Sequence, residues 1–327
     1  MKYLFLYTFL LFQIYLLAQK MPVSGVNYKI LRDNTDTKFV VGNLALANIT
    51  ISGSRMSLAA GPGIRFYSNG FYASADYEFH YLDGLASALK ENATTAFSVY
   101  KNQKSRNAEA TIGYFFRKKV EKKVSLHLYS ESQMSNNIHH YINVDAHINK
   151  IFGFQLGYKS GFVNTLIPSG VYVKSYDNVS GGTVASSFNM STVMQYNWIS
   201  FGPSYGKTED VIADIDGCGI RKAQYFSRFY ANILYAVKTK LEDVYYAAEP
   251  TSSAGTNKTL LYRYVLDGNI QMSNFGFNVG YQTFKFNKFG LSNNIEAGVM
   301  PGVKSNLIGN FYLSLKLGLS LGKCFPK

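Results

Sequence analysis

The stretch Phe311-Tyr312-Leu313-Ser314-Leu315-Lys316-Leu317-Gly318-Leu319-Ser320-Leu321 alternates strictly. Phe311, Leu313, Leu315, Leu317, Leu319 and Leu321 fall on one face, and Tyr312, Ser314, Lys316, Gly318 and Ser320 on the other. A period of two belongs to a β-strand with one apolar and one polar side. A helix, with its period near 3.6, would scatter both sets around its surface. Phe71 to Leu82 repeats the pattern, with Phe71, Ala73, Ala75, Tyr77, Phe79 and Tyr81 opposite Tyr72, Ser74, Asp76, Glu78 and His80.

Working outward, the alternation recurs along the chain. Ala108, Ala110, Ile112, Tyr114 and Phe116 form one face of a run that reads as ending in a charged hairpin tip, Arg117 to Lys123; Val124, Leu126 and Leu128 follow. Ile142, Val144, Ala146 and Ile148 precede a turn read at Asn149-Lys150, then Phe152, Phe154, Leu156 and Tyr158. Phe188 to Tyr196 and Ile199 to Tyr205 read as a hairpin around Asn197-Trp198. Further runs are Ser57 to Tyr67, Lys222 to Lys238, Leu260 to Met272, Phe275 to Gln282 and Leu291 to Val299. Weaker ones fall between Phe39 and Ile51, Ala96 and Lys101, and Val171 and Val179. Runs of about 9 to 16 residues exceed the usual soluble strand and suit a tilted bilayer crossing. The expectation is an all-β chain forming a transmembrane antiparallel up-and-down β-barrel of about 12 to 16 strands, with about 14 taken because such barrels close on even numbers.

Composition agrees. Aromatic residues make up 16%, with 26 Tyr and 24 Phe against one Trp, while mean hydropathy is -0.07. Apolar residues are therefore interleaved with polar ones, as a sheet with two unlike faces requires. Lys2 followed by the apolar run Tyr3 to Leu17 and the small Ala18 reads as a signal peptide, residues 1–18. No later apolar run is long enough for a spanning helix, which excludes a helical membrane protein. Residues 19–38 read as a polar periplasmic lead-in and 39–327 as the barrel. Cys218 and Cys324 could form one disulfide at most, too few for a disulfide framework.

If the apolar face meets lipid, the other face lines the lumen. The inward candidates are Asp76, Glu78, Glu109, Glu131, Asp145, Asp267 and Glu296 against Lys159, Arg228, Arg263 and Lys316, with His80, His127 and His147 beside them. That interior is mixed and slightly acidic although the whole chain carries +13. The positive excess then sits at strand ends, in Arg117, Lys118, Lys119, Lys122 and Lys123 and in Lys101, Lys104 and Arg106. Lipid-facing charge costs roughly 2 to 4 kcal/mol at the midplane, so this placement is expected. Such ends either contact anionic headgroups or form a solvated rim.

Motifs for catalysis or metal are weak. Gly202-Pro203-Ser204-Tyr205-Gly206 matches the G-x-S-x-G string, but no helix follows to make the required elbow. Gly206-Lys207-Thr208 lacks the earlier glycine of a phosphate loop. Asp210, Asp214, Asp216 and Gly217 read as a solvated acidic loop without the calcium-loop spacing. His139 and His140 project to opposite faces of a strand. Ser125, His127, Asp145 and His147 could share an inward face as a hydrolase set, although ordinary polar lining is the preferred reading. Five Asn-x-Ser/Thr sites, at Asn48, Asn92, Asn178, Asn189 and Asn257, fit chance in an Asn- and Ser-rich chain.

The Leu17-Ala18-Gln19 junction, the Tyr/Phe-rich hairpins and the closing segment Asn310 to Gly322 resemble the outer-membrane β-barrels common in Bacteroidota. The resemblance implies an exported protein of the bacterial outer membrane, surrounded by lipid and lipopolysaccharide. It also implies a last strand offered to the barrel-assembly machinery, with Phe325 as its closing aromatic before Pro326 and Lys327. It brings no catalytic residue, no cofactor and no metal. The functional expectation is a non-enzymatic barrel, either a passive channel or a transporter for small polar solutes. The alternatives are a sealed structural or assembly component, holding protein partners through its loops and periplasmic end, and an outer-membrane hydrolase. Export argues against nucleic acid as a partner.

Overall fold

The computed structural model describes residues 20–325 except 34, 53–54, 86–97, 100–104, 134–135, 168–171, 176–182, 186–189, 243, 249–259, 267–271, 287 and 304–309. The segment read as a signal peptide lies outside the described residues, as does the inward candidate Asp267. Eleven strands carry the architecture: β1 (Tyr28–Asp33), β2 (Lys38–Ser52), β3 (Arg55–Ser68), β4 (Phe71–Leu85), β5 (Arg106–Gln133), β6 (Asn136–Ile167), β7 (Met190–Ile215), β8 (Gly219–Leu241), β9 (Phe275–Lys285), β10 (Lys288–Val299) and β11 (Phe311–Phe325). Strands β2 to β11 pair with their sequence neighbours in antiparallel ladders, and β11 pairs back onto β2 from Tyr312↔Ser52 to Phe325↔Lys38. The barrel is therefore closed by ten strands, with β1 outside it.

The strand number is lower than fourteen because three apparent turns are not turns. Strand β5 runs straight through Arg117 to Lys123, and β6 through Asn149-Lys150, as a single ladder from Arg106↔Phe162 to Gln133↔Asn136. At Asn197-Trp198 strand β7 carries only a register shift against β8. A bulge disturbs local alternation without reversing the chain. Polar residues on both faces of Arg117 to Lys123 looked like a turn because β5 has left the barrel wall beyond Tyr114, where no lipid demands an apolar side. The run from Leu260 belongs to Leu260–Leu266, in a five-stranded sheet with Val244–Ala248, Tyr172–Ser175, Thr183–Ala185 and Ser98–Val99, apart from the wall. Arg263, expected in the lumen, lies on that strand.

The connections β3–β4, β5–β6, β7–β8 and β9–β10 are short and share one end; at the other end only β2–β3 is short. Asn69 and Gly70, both at positive φ (51° and 88°), make the two-residue reversal between β3 and β4. The matching sequence signal, Asn-Gly between alternating runs, suits the twist of a tight hairpin. At this same end β5–β6 and β7–β8 continue beyond their neighbours. The ladder to β4 stops at Phe71↔Tyr114, and that between β6 and β7 at Asn149↔Thr208. Beyond those points β1 pairs with Val211 to Ile215 of β7, and Lys20–Pro22 lies parallel to His139–Tyr141 of β6. Val124, Leu126, Leu128, Ile142, Val144, Ala146 and Ile148 of one hairpin share a buried cluster with Val211, Ala213, Ile215 and Ala223 of the other, covered by Val23, Val26, Tyr28 and Ile30. The stretch read as a lead-in thus supplies a strand and part of a second core.

The pleat explains both environments. On β5 the even positions carry Ile112, Tyr114 and Phe116 to the barrel's exterior and then Val124, Leu126 and Leu128 into the cluster. The parity of the apolar face is kept on both sides of Lys118 and Lys122; what that face meets changes, from lipid to protein.

Candidate functional site in the barrel interior

The exterior of the barrel presents Leu44, Ile64, Phe79, Ile112, Leu156, Phe201, Ile233, Val279, Leu291 and Leu313, all well exposed. Among the described residues no helix is long and apolar enough to cross a membrane; this barrel would cross with strands. The interior is the reverse, and it is layered.

At the turn end the lumen is filled by Phe39, Val41, Tyr67, Tyr72, Phe115, Ile151, Phe226, Phe284 and Phe286, each no more than 2% exposed. Phe39 stacks on Phe286 at 4.8 Å and Tyr67 at 5.4 Å; Phe226 stacks on Phe284 at 5.1 Å and Tyr72 at 5.6 Å. These rings come from β2, β3, β4, β5, β8 and β9 and from Phe286 just after β9, so the layer crosses the barrel. A narrow barrel can be filled by side chains in this way, whereas wide ones keep a channel.

Above it lies a polar layer. Arg65 donates to Asp76 at 3.0 Å, Lys316 pairs with Glu78, and Lys159 approaches Glu109 at 3.6 Å. Asn48 donates to Glu78 at 2.9 Å, and Tyr230 donates to Glu296 at 2.7 Å. Arg228 donates through Nε to Gln282 at 2.9 Å and lies over Tyr72 at 4.2 Å. A further chain runs from Gln155 to Asn232 and from Asn232 to Asn278, each at 2.9 Å. The space left is about 100 Å³, room for a few waters. Towards the loop end Met194, Tyr196, Trp198 and Ala236 form another buried cluster, with Tyr196 and Trp198 stacked at 4.1 Å.

Of the sequence candidates, Asp76, Glu78, His80, Glu109, Arg228, Glu296 and Lys316 line this interior, as does Lys159. His127, Asp145, His147 and Glu131 do not. His127, Asp145 and His147 keep the parity of the inward face but lie on the hairpin extension beyond the barrel, facing away from its core; Glu131 lies on the same extension, past the register shift at His127/Tyr129 and opposite Ile138. Arg65, hidden in the run Gly61 to Ser68, was missed; it is 3% exposed and bonded to Asp76. With Arg65 included and the extension removed, Asp76, Glu78, Glu109 and Glu296 face Arg65, Lys159, Arg228 and Lys316. The lining is balanced rather than acidic.

The hydrolase set is not assembled. Ser125 donates to Asn143 at 2.7 Å, His127 is hydrogen-bonded to Ser130 at 2.8 Å, and His147 meets Asp33 of β1 at 2.6 Å. The G-x-S-x-G glycines have a packing reason. A Cβ at Gly202 would stand 1.8 Å from the Ala231 carbonyl oxygen, and one at Gly206 2.1 Å from that of Ser227. Asp210 belongs to no solvated loop; it is 1% exposed, paired with Arg32 and accepting from Gln224 at 2.7 Å. Cys218 and Cys324 are both free thiols.

No protein-family profile matches the sequence, and no curated protein matches it. Among solved structures it is similar to the beta domain of the Bordetella autotransporter BrkA, at 10% identity over 88% of this chain and 99% of that one, with a TM-score of 0.21. It is also similar to the TodX deltaS2S3 mutant monoaromatic hydrocarbon channel, at 9% identity over 89% and 91%, with a TM-score of 0.24. At these scores the assignment rests on the chain's own geometry, which is that of a closed transmembrane-type β-barrel with a packed interior.

Proposed function

We propose that this protein is a sealed, non-enzymatic barrel of the bacterial outer membrane that serves as a structural or assembly component. The observation that carries this is the aromatic layer from Phe39 to Phe286, which leaves no polar path through the turn end. A passive channel for small polar solutes needs a continuous wet path, so the layer favours the sealed reading over the channel. The ion pairs above it then act as filling: Asp76, Glu78 and Glu109 each meet a base, while Glu296 accepts from Tyr230 and Arg228 donates to Gln282, so the buried charges keep polar partners. Lys38 and Phe325, where the barrel strands begin and end, stand at the short-turn end, the periplasmic side of bacterial barrels. The β5–β6 and β7–β8 extension would therefore reach into the periplasm, where it offers a folded surface to protein partners.

The test is conductance in planar bilayers. A silent wild-type protein, shown to be inserted by protease protection, supports the proposal. Stable open steps would overturn it and restore the channel.

A further inference from the structure

Four consecutive rungs of the β5–β6–β7 ladder describe a gradient on the barrel's exterior. Ile112, Leu156 and Phe201 are direct ladder partners; then come Tyr114, Phe154 and Pro203, then Phe116, Phe152 and Tyr205, and then Lys118, Lys150 and Lys207. Aliphatic and aromatic side chains thus give way to a girdle of rings, and the girdle to three lysines in one row. Below that row the outward face enters the protein core of the extension, beginning with Ile148.

The lysine row is unfavourable on its own. Cross-strand neighbours stand roughly 5 Å apart at Cβ, and like charges directly opposite one another repel. Lys207 is relieved by Glu209, its Nζ lying 2.5 Å from Oε1. Lys118 and Lys150 have no acidic partner among the described residues and are exposed. Nothing in the fold requires three ammonium groups side by side. A negative charge supplied from outside would compensate them, and their height, one rung beyond the aromatic girdle, is where headgroups lie.

We infer that Lys118, Lys150 and Lys207 form a binding site for the phosphate of anionic phospholipid in the leaflet at the turn end. The inference rests on the membrane setting of the barrel but not on its lumen being sealed. The site fixes the depth of the barrel: the rings stay in the hydrocarbon boundary, the lysines take the phosphates, and the extension begins in water. Long lysine stems permit this, since their methylenes lie along apolar surface while the charge reaches outward.

The experiment is native mass spectrometry of the folded protein released from bilayers of equal phosphatidylglycerol and phosphatidylcholine. The wild type is expected to retain phosphatidylglycerol preferentially. Removing each lysine should reduce that preference about fivefold, from the ~1 kcal/mol a single such charge is worth at a membrane surface. The variant K118Q/K150Q/K207Q should lose most of it, and the corresponding Lys→Arg triple should keep it. K119Q/K122Q/K123Q, which removes the same charge from the extension, should leave it intact. Folding of each variant is checked by heat-modifiable electrophoretic mobility; if the Gln triple does not fold, the single variants are read in its place. Equal retention of both lipids by the wild type would overturn the site. So would an equal loss in the extension control, which would assign the effect to net charge. Bilayer conductance is independent of either result, so failure of the lipid site and failure of the sealed lumen are distinguishable.

Discussion

Replacing Phe226 with alanine probes the layer that closes the barrel. Phe226 is fully buried, with Phe284, Tyr72, Phe39 and Tyr67 at ring-centroid distances of 5.1, 5.6, 5.7 and 5.8 Å. Removing a packed phenylalanine costs about 3 to 5 kcal/mol through lost transfer energy and the cavity left behind. Four ring neighbours place this residue in the upper part of that range, because each aromatic pair adds roughly 0.5 to 1.5 kcal/mol beyond area. Phe229, three residues along the same strand, is the control: it is 60% exposed on the lipid side, and its ring partner is Tyr281 at 4.5 Å. Phe229→Ala leaves no cavity, because lipid fills the space, and should cost about 1.5 to 3 kcal/mol, the transfer of its ring out of water, less than Phe226→Ala. The measurement is reversible urea unfolding in lipid bilayers, followed by tyrosine fluorescence and electrophoretic mobility. Phe226→Ala should stay silent in planar bilayers, since an apolar cavity stays dry. A loss below 1 kcal/mol, or an equal loss in both variants, would refute a packed closing layer.

Two further outcomes follow from the interior and the extension. Lys316→Met should destabilise the barrel by about 3 to 5 kcal/mol by stranding the Glu78 carboxylate, and adding Glu78→Gln should recover most of it in the same unfolding assay. Acid should loosen the extension before the barrel. Burial raises the Asp33 carboxyl, but hydrogen bonds and charge from His147 outweigh it and hold the pKa below its ordinary 3.8. That contribution is complete above the ordinary value and lost as pH falls through the lower folded-state one. His127 is held below 6.5 by burial and by His139, Arg221 and Lys285, so protonating it opposes folding as pH falls below 6.5. Hydrogen exchange of β1 and the β5–β6 tip at pH 7, 5 and 3 should show rising exchange there, with Asp33→Asn removing the most acidic step.

Alternation determined that this chain is built of two-faced β-strands, and the length and Tyr/Phe content of the runs pointed to a barrel. Phe311 to Leu321 and Phe71 to Leu82 admit one regular structure with an apolar and a polar face, and that reading needs no partner. It also placed Asp76, Glu78, Glu109, Glu296 and Lys316 inside, because parity fixes the face wherever the strand lies in the wall. Parity could not say where the wall ends. His127, Asp145 and His147 have the right face on strands that have already left the barrel, so only the ladder lengths of β4–β5 and β6–β7 exclude them. The sealing layer was equally hidden. Phe39, Tyr67, Tyr72, Phe115, Phe226, Phe284 and Phe286 stand on separate segments, where each is one more aromatic in a Tyr/Phe-rich chain. Their convergence depends on how ten strands are staggered around a closed circuit, a long-range relation that no local period encodes.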